Sequence, residues 1–196
     1  MYSQNDEERV ILEHLPNSGR FLDIGAFDGK HNSNTYALAE IGWYGVCVEP
    51  SPVPASRLLD RYKANPKIEV ATFAVSNVAG IVHWNDAGGD QISTVSPQHV
   101  DLWRDQSHYT PMLMAAVTPA QLLDAVGDDF GFVSIDVEGI NLEVAHAMPW
   151  GRLAECTLAC VEMPPHPELL DAIMERYGFK RIHTTSENGI YQREAL

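Results

Sequence analysis

The chain has 196 residues, with 13 Lys+Arg against 27 Asp+Glu and a formal charge of −14. Apolar residues make up 45% and charged residues 20%, a balance that excludes a disordered chain, and the length fits one domain over residues 1–196. The acidic excess excludes a nucleic-acid partner and opposes docking on anionic membranes, because phosphates need clustered Lys and Arg.

Met1–Arg9 (MYSQNDEER) has neither the basic nor the apolar region of a signal peptide. No apolar run approaches the ~20 residues of a membrane span, so membrane insertion is not expected. Residues 5–14 read as an amphipathic helix with Val10, Ile11 and Leu15 on one side. Phe21–Ile24 is a short apolar strand, and Asn34–Ile41 is a helix with Ser33 as N-cap. Gly45–Val48 is a second buried strand, Pro54–Lys63 a helix and Ile68–Val75 a third strand. Residues 81–117, with Trp84, Gly88, Gly89, Trp103 and Tyr109, break the strand–helix rhythm. They are either a lid or cap over a sheet edge or a satellite of core packing. Thr118 and Pro119 open a helix through Ala125. Strands at 131–135 and Thr157–Val161 alternate with helices at Asn141–Ala147 and Glu168–Tyr177. The tail, Phe179–Thr184 and Gly189–Arg193 around Asn188-Gly189, reads as a hairpin that places an antiparallel strand at the far edge. This alternation predicts an α/β fold with helices on both faces of a mostly parallel sheet.

Cys47, Cys156 and Cys160 lie in apolar stretches and read as buried free thiols, which places the chain in the cytoplasm. The spacing of Cys156 and Cys160 does not suit a metal knuckle.

The run Phe21-Leu22-Asp23-Ile24-Gly25-Ala26-Phe27-Asp28-Gly29 leads a strand through a glycine turn towards a helix, a place where backbone N–H groups meet a ligand. It is neither GxGxxG nor a P-loop. Asp23 would repel a pyrophosphate but welcome a cationic ligand. Glu49, ending the second strand, can accept both hydroxyls of a ribose. Together they point to S-adenosylmethionine as cofactor.

DIGAFDG, then SNTYAL, GVCVEPSP and FVSIDVEG followed by LEV, resembles the FkbM-type methyltransferases from Phe21 to Glu162. The resemblance implies a Rossmann-like class I methyltransferase fold, with a seven-stranded, mostly parallel sheet and an antiparallel C-terminal hairpin strand. It also implies O-methylation of a small-molecule or carbohydrate hydroxyl. By position, Asp23, Gly25, Ala26 and Gly29 would line the methionine part of the cofactor, and Ser33 and Asn34 would hold its carboxylate. Glu49 would hold the ribose, with Pro50 and Ser51 beside the adenine and Ala74–Asn77, including Val75 and Ser76, on its other side. Asp136 would face the reactive methyl. Asn141 and Ala145 depart from the family's usual acidic and bulky aliphatic residues.

A hydroxyl nucleophile needs a base. Asp136, Glu138 and Glu162 end two adjacent strands and are the catalytic candidates, ranked above His166, His31 and His83. Glu138 is either such a base or a carboxylate favouring a helix N-terminus. The three together could also hold Mg²⁺, although no dedicated metal motif is present. The alternatives are a metal-assisted O-methyltransferase and a non-catalytic cofactor-binding module. Met163-Pro164-Pro165-His166 lacks the polar first residue of base methyltransferases, and the missing GxGxxG opposes an NAD-dependent oxidoreductase.

Overall fold

Short runs that are apolar at every position can satisfy both faces only in the middle of a layered structure, and the chain uses them so. The computed structural model describes residues 1–194. In chain order its elements are α1 (Glu7–His14), β1 (Arg20–Ile24), α2 (Tyr36–Glu40), β2 (Tyr44–Val48), α3 (Pro52–Tyr62), β3 (Ile68–Ala71), β4 (Ala74–Val75) and β5 (Gly80–Asp86). There follow α4 (Pro97–Trp103), β6 (Thr110–Val117), α5 (Pro119–Val126), β7 (Phe132–Ile135), α6 (Asn141–Ala147), β8 (Leu158–Glu162), α7 (Pro167–Glu175), β9 (Phe179–Thr184) and β10 (Asn188–Arg193).

Seven strands form one sheet in the order β3-β2-β1-β7-β8-β10-β9. The strands from β3 to β8 in that order are parallel, and β10 is antiparallel to both its neighbours. This is the expected fold class, with one correction. The antiparallel strand is not at the far edge: β10 inserts between β8 and β9, so the edge strand β9 runs parallel to the rest.

Alternate side chains of each strand supply two cores. On one face Leu22 and Ile24 pack with Val133, Ile135, Val144, Met174 and Trp150 under α5, α6 and α7. On the other Phe21 packs with Ile11, Leu38, Trp43 and Leu58 from α1, α2 and α3 and their loops. Asp23 shares the second face with Phe21, which aims a carboxylate beneath the start of α2. Cys156 and Cys160 fall in opposite cores, and all three cysteines are buried free thiols.

Three further expectations are corrected. The strand expected over Ile68–Val75 ends at Ala71, and the chain steps out at Thr72-Phe73 so that β4 joins a second sheet. That sheet, ordered β4-β6-β5, gives residues 81–117 a regular core around Trp84. The tail hairpin turns one step earlier than Asn-Gly suggests: the Thr185 N–H donates to the Asn188 carbonyl, and Gly189 is already paired with Thr184. Helix α2 begins at Tyr36, two residues after the expected start, although the Ser33 hydroxyl still accepts from the Tyr36 N–H at 3.0 Å.

A buried acid closes the molecule. Glu7 has no exposed surface, and its Oε1 accepts from the Thr185 hydroxyl (2.6 Å) and Asn188 Nδ2 (3.1 Å), tying α1 to the β9–β10 turn. Burial opposes its charge, but these hydrogen bonds win and hold its carboxyl below the usual range. Replacing Glu7 with alanine strands those donors, so a loss of about 1–3 kcal/mol is expected in urea denaturation. An unchanged midpoint would show that the clasp carries no stability.

Candidate active site

The carboxyl ends of β1, β2 and β7 open onto one cleft, as the ligand-binding edge of an open parallel sheet should. It continues into a recess beneath the start of α2. Gly25, Phe27, Gln91 and Asp136 border both spaces. The strand ends are held together at Gly25, where φ is +92° and an added Cβ would lie 1.6 Å from the Asp136 carbonyl oxygen. Only glycine allows that approach. The three non-glycine residues with positive φ among those described are Phe27, Asn32 and Glu138, and all three border the cleft or the recess. Such backbone clusters where a ligand must be met closely.

Asp23 is 4% exposed and its Oδ2 accepts from the Thr35 hydroxyl at 2.5 Å. Burial pushes its pKa up to about 7 against that bond. Glu49 is 7% exposed; Oε2 accepts from the Phe27 N–H (2.9 Å) and Oε1 from the Ser51 N–H (2.7 Å). Burial pushes it to about 7 as well, despite those two donors. Glu49 therefore fixes the glycine turn to the start of α3 while its remaining lone pairs stay available. Asp136, Glu138 and Glu162 present carboxylate oxygens within 4.8 Å of one another. Burial lifts all three above the usual carboxylate range, and the charge of Asp136 lifts Glu138 and Glu162 further. Among the described residues, no Lys or Arg lines the cleft or the recess.

This concentration of uncompensated acid has a measurable consequence. Folded, Asp23 and Glu49 keep their protons up to about pH 7; unfolded, they lose them near pH 4. The folded state binds more protons between those values, so their contribution to stability falls as pH rises through that window. The melting temperature of the ligand-free protein should be higher at pH 6 than at pH 8. A rise in melting temperature over that interval would contradict this electrostatic picture.

Asp23, Gly25, Ala26, Ser33 and Asn34 border the recess, together with Ser134 and Asp136. Glu49, Pro50, Ser51 and Val75 border the cleft, with Asp136 and Glu138. Gly29 and Ser76 border neither. Gly29, at φ +74°, faces α3, where a Cβ would come within 2.5 Å of Leu58, and the Ser76 hydroxyl donates to the neighbouring Asn77 side chain. Glu162 borders a separate groove on the far side of the acid cluster. Asn141 links the two sides: Oδ1 accepts from the Val137 N–H at 2.7 Å and Nδ2 donates to Glu162.

Sequence reasoning left residues 81–117 as either a lid or a packing satellite and missed which of their side chains reach the site. Trp84, Asp90, Gln91, Ser93 and Val95 wall the cleft, so this segment both packs around its own core and covers the site. The Thr94 hydroxyl donates to the Glu138 carbonyl at 2.5 Å, and His99 Nε2 sits 3.3 Å from Glu138 Oε2 in ion-pair range, without hydrogen-bond geometry. Burial lowers the His99 pKa. The aromatic content of the segment was the one signal that pointed to it.

No family model matches the chain, and no curated protein matches it. Solved structures do. A precorrin-6y C5,15-methyltransferase from Geobacter metallireducens superposes with a TM-score of 0.56 at 13% identity, covering 96% of this chain and 87% of that one. A protein of the NADB-Rossmann superfamily from Streptococcus agalactiae gives 0.52 at 11% identity, over 99% of this chain and 70% of that one. The Methanococcus jannaschii fibrillarin pre-rRNA processing protein gives 0.50 at 14% identity, over 98% and 77%. At such identities the likeness is one of fold, and the chain has the Rossmann-like α/β methyltransferase fold.

Proposed function

We propose that the protein is an S-adenosylmethionine-dependent O-methyltransferase of the FkbM type. The carrying observation is a ligand cleft walled by buried carboxylates and unpartnered acceptors, with no Lys or Arg among the described residues that line it. Asn34 Oδ1 and Asp136 Oδ1 are buried without hydrogen-bond partners, and both residues border the recess. Acceptors left so would cost free energy unless a donor ligand meets them. The ammonium of an amino acid fits them, and a pyrophosphate does not. Asp23 lies beneath the recess with a carboxyl that the cofactor's positive charge would hold ionised, and Glu49 offers lone pairs to two ribose hydroxyls beside Val75 and Pro50. Bound there, S-adenosylmethionine supplies an electrophilic methyl group on a positively charged sulfur.

The chain's own groups then have separable tasks. Asp136 sits where cleft and recess meet and steadies positive charge. Glu138 faces the cleft with a carboxylate whose proton affinity is raised, so it takes the proton from an acceptor hydroxyl. Glu162, held by Asn141, orients the acceptor from the other side. The wall formed by Trp84 and Gln91 keeps water from the reacting atoms. A net-positive cofactor favours ionised Asp23 and Glu49, so its affinity should rise between pH 6 and pH 8. The buried free thiols fit a reducing compartment such as the cytoplasm.

The test is incubation with methyl-labelled S-adenosylmethionine and a panel of alcohols, glycosides and their amino analogues. Label on oxygen supports the reading; label confined to nitrogen overturns the O-methyl assignment. One observation favours a metal-assisted variant, the closeness of the Asp136, Glu138 and Glu162 oxygens. Turnover that survives EDTA would exclude it.

A further inference from the structure

We propose that the acceptor is an uncharged or cationic amphipathic hydroxyl compound, held in the groove between α4 and the loop after β8, and that anionic acceptors are refused. This rests on the methyltransferase reading and adds a substrate class to it.

The groove is lined by α4, the start of α6 and the loop after β8. It meets the cofactor cleft across a thin partition. Glu162 borders the groove, Asp136 and Glu138 border the cleft, and their carboxylates reach to within 4.8 Å of one another. Beside them His99 packs over Gly139, where an added Cβ would lie 2.8 Å from the His99 Cβ. Displacement at carbon needs the nucleophile opposite the leaving group. With the cofactor filling the cleft, an acceptor arriving from the groove reaches the acid cluster from the remaining side.

The lining states what the groove can hold. Leu102, Leu142, Met163, Pro164 and Pro165 give an apolar floor and rim. Leu102 is 76% exposed on α4, a helix that buries none of its residues, so this side of the groove is uncovered. The polar contribution is Glu143, Glu162, Asn141, Gln98 and Ser96, with His99 as the single basic type. Among the described residues, no Lys or Arg lines this groove either. A hydroxyl donates to these carboxylates and an ammonium pairs with them. A phosphate or carboxylate would be desolvated against like charge with no counter-ion, which is how a site rejects a ligand.

The experiment uses protein saturated with S-adenosylhomocysteine, whose binding is followed separately by calorimetry, and repeats each titration on ligand-free protein. The probes are hexyl β-D-glucoside, its 2-amino-2-deoxy analogue and the hexyl glucuronide, which differ mainly in charge. The readout is the ¹³C-methyl resonance of Met163, with the buried Met174 as reference. The expected result is a saturable Met163 shift with the neutral and amino probes, at least about tenfold weaker with the glucuronide, and a still Met174. Leu102→Arg, a change at an exposed position, should recover glucuronide binding without lowering the melting temperature. Equal or tighter glucuronide binding to the unaltered protein, or no Met163 shift with any probe, would overturn the proposal. Loss of S-adenosylhomocysteine binding would instead overturn the cofactor reading, while the ligand-free titrations still judge the groove.

Discussion

Replacing Glu138 with glutamine is expected to slow methyl transfer about 100-fold or more, with the fold intact and cofactor affinity changed by no more than a few fold. The residue stands at φ +49°, its backbone carbonyl held by Thr94 and its carboxylate beside His99. That strained placement aims it into the cleft instead of along α6, which begins only at Asn141. Glutamine keeps the shape but cannot take a proton. The wild-type carboxyl is held high by burial and by Asp136, so removing its charge relieves repulsion inside the cluster. The variant should therefore melt no lower than the wild type, and higher at alkaline pH. A general base with a raised pKa also predicts that wild-type kcat climbs with pH through the titration of the cluster, and that this limb flattens in Glu138→Gln. Turnover within about threefold of wild type would move the base to Glu162.

The second large effect is structural. Gly25→Ala would set a Cβ 1.6 Å from the Asp136 carbonyl oxygen and 2.7 Å from its carbonyl carbon. Both are backbone atoms, so no side chain can swing away, and the ends of β1 and β7 must part. The Gly25 and Ala26 N–H groups also donate to the Val48 carbonyl at 2.9 and 3.0 Å, which ties the same turn to β2. Overpacking costs about 1–3 kcal/mol and an L residue at positive φ about 1–2 more. A fall in melting temperature of about 6 °C or more is expected, with loss of cofactor binding. Gly151→Ala is the control, because a Cβ there meets nothing within 4 Å. A Gly25→Ala protein that melted normally and bound the cofactor would mean that the close strand contact does not shape the site.

The middle of the large sheet was legible because β1, β2, β7 and β8 are buried on both faces along most of their length and so are mainly apolar. The same criterion misled at Ile68–Val75, where Val70, Ala71, Phe73, Ala74 and Val75 hide the step between two sheets. In β6 an alternation exists: Met112, Met114 and Ala116 turn inward, Pro111, Leu113 and Ala115 outward. Both sets are apolar, so no period of two could be read. Asp23 and Glu49 stood out because a charge ending an apolar strand has few structural uses. Gln91, Ser93 and His99 did not, since they reach the site from loops and a short helix whose placement only tertiary packing decides. Gly29 misled for a related reason: its conformational freedom serves packing against Leu58 and Tyr62 and leaves it outside the cleft.

The central claim is that the buried carboxylates and orphaned acceptors around Gly25 form a site for a cationic nucleoside amino acid. Calorimetric titration of the purified protein with S-adenosylmethionine, alongside Glu49→Ala and NAD, tests it most directly. The account predicts a single site with a dissociation constant of about micromolar order, weakened at least about tenfold in Glu49→Ala, and no heat from NAD. Binding of NAD, or folded protein that takes up neither S-adenosylmethionine nor S-adenosylhomocysteine, would contradict it.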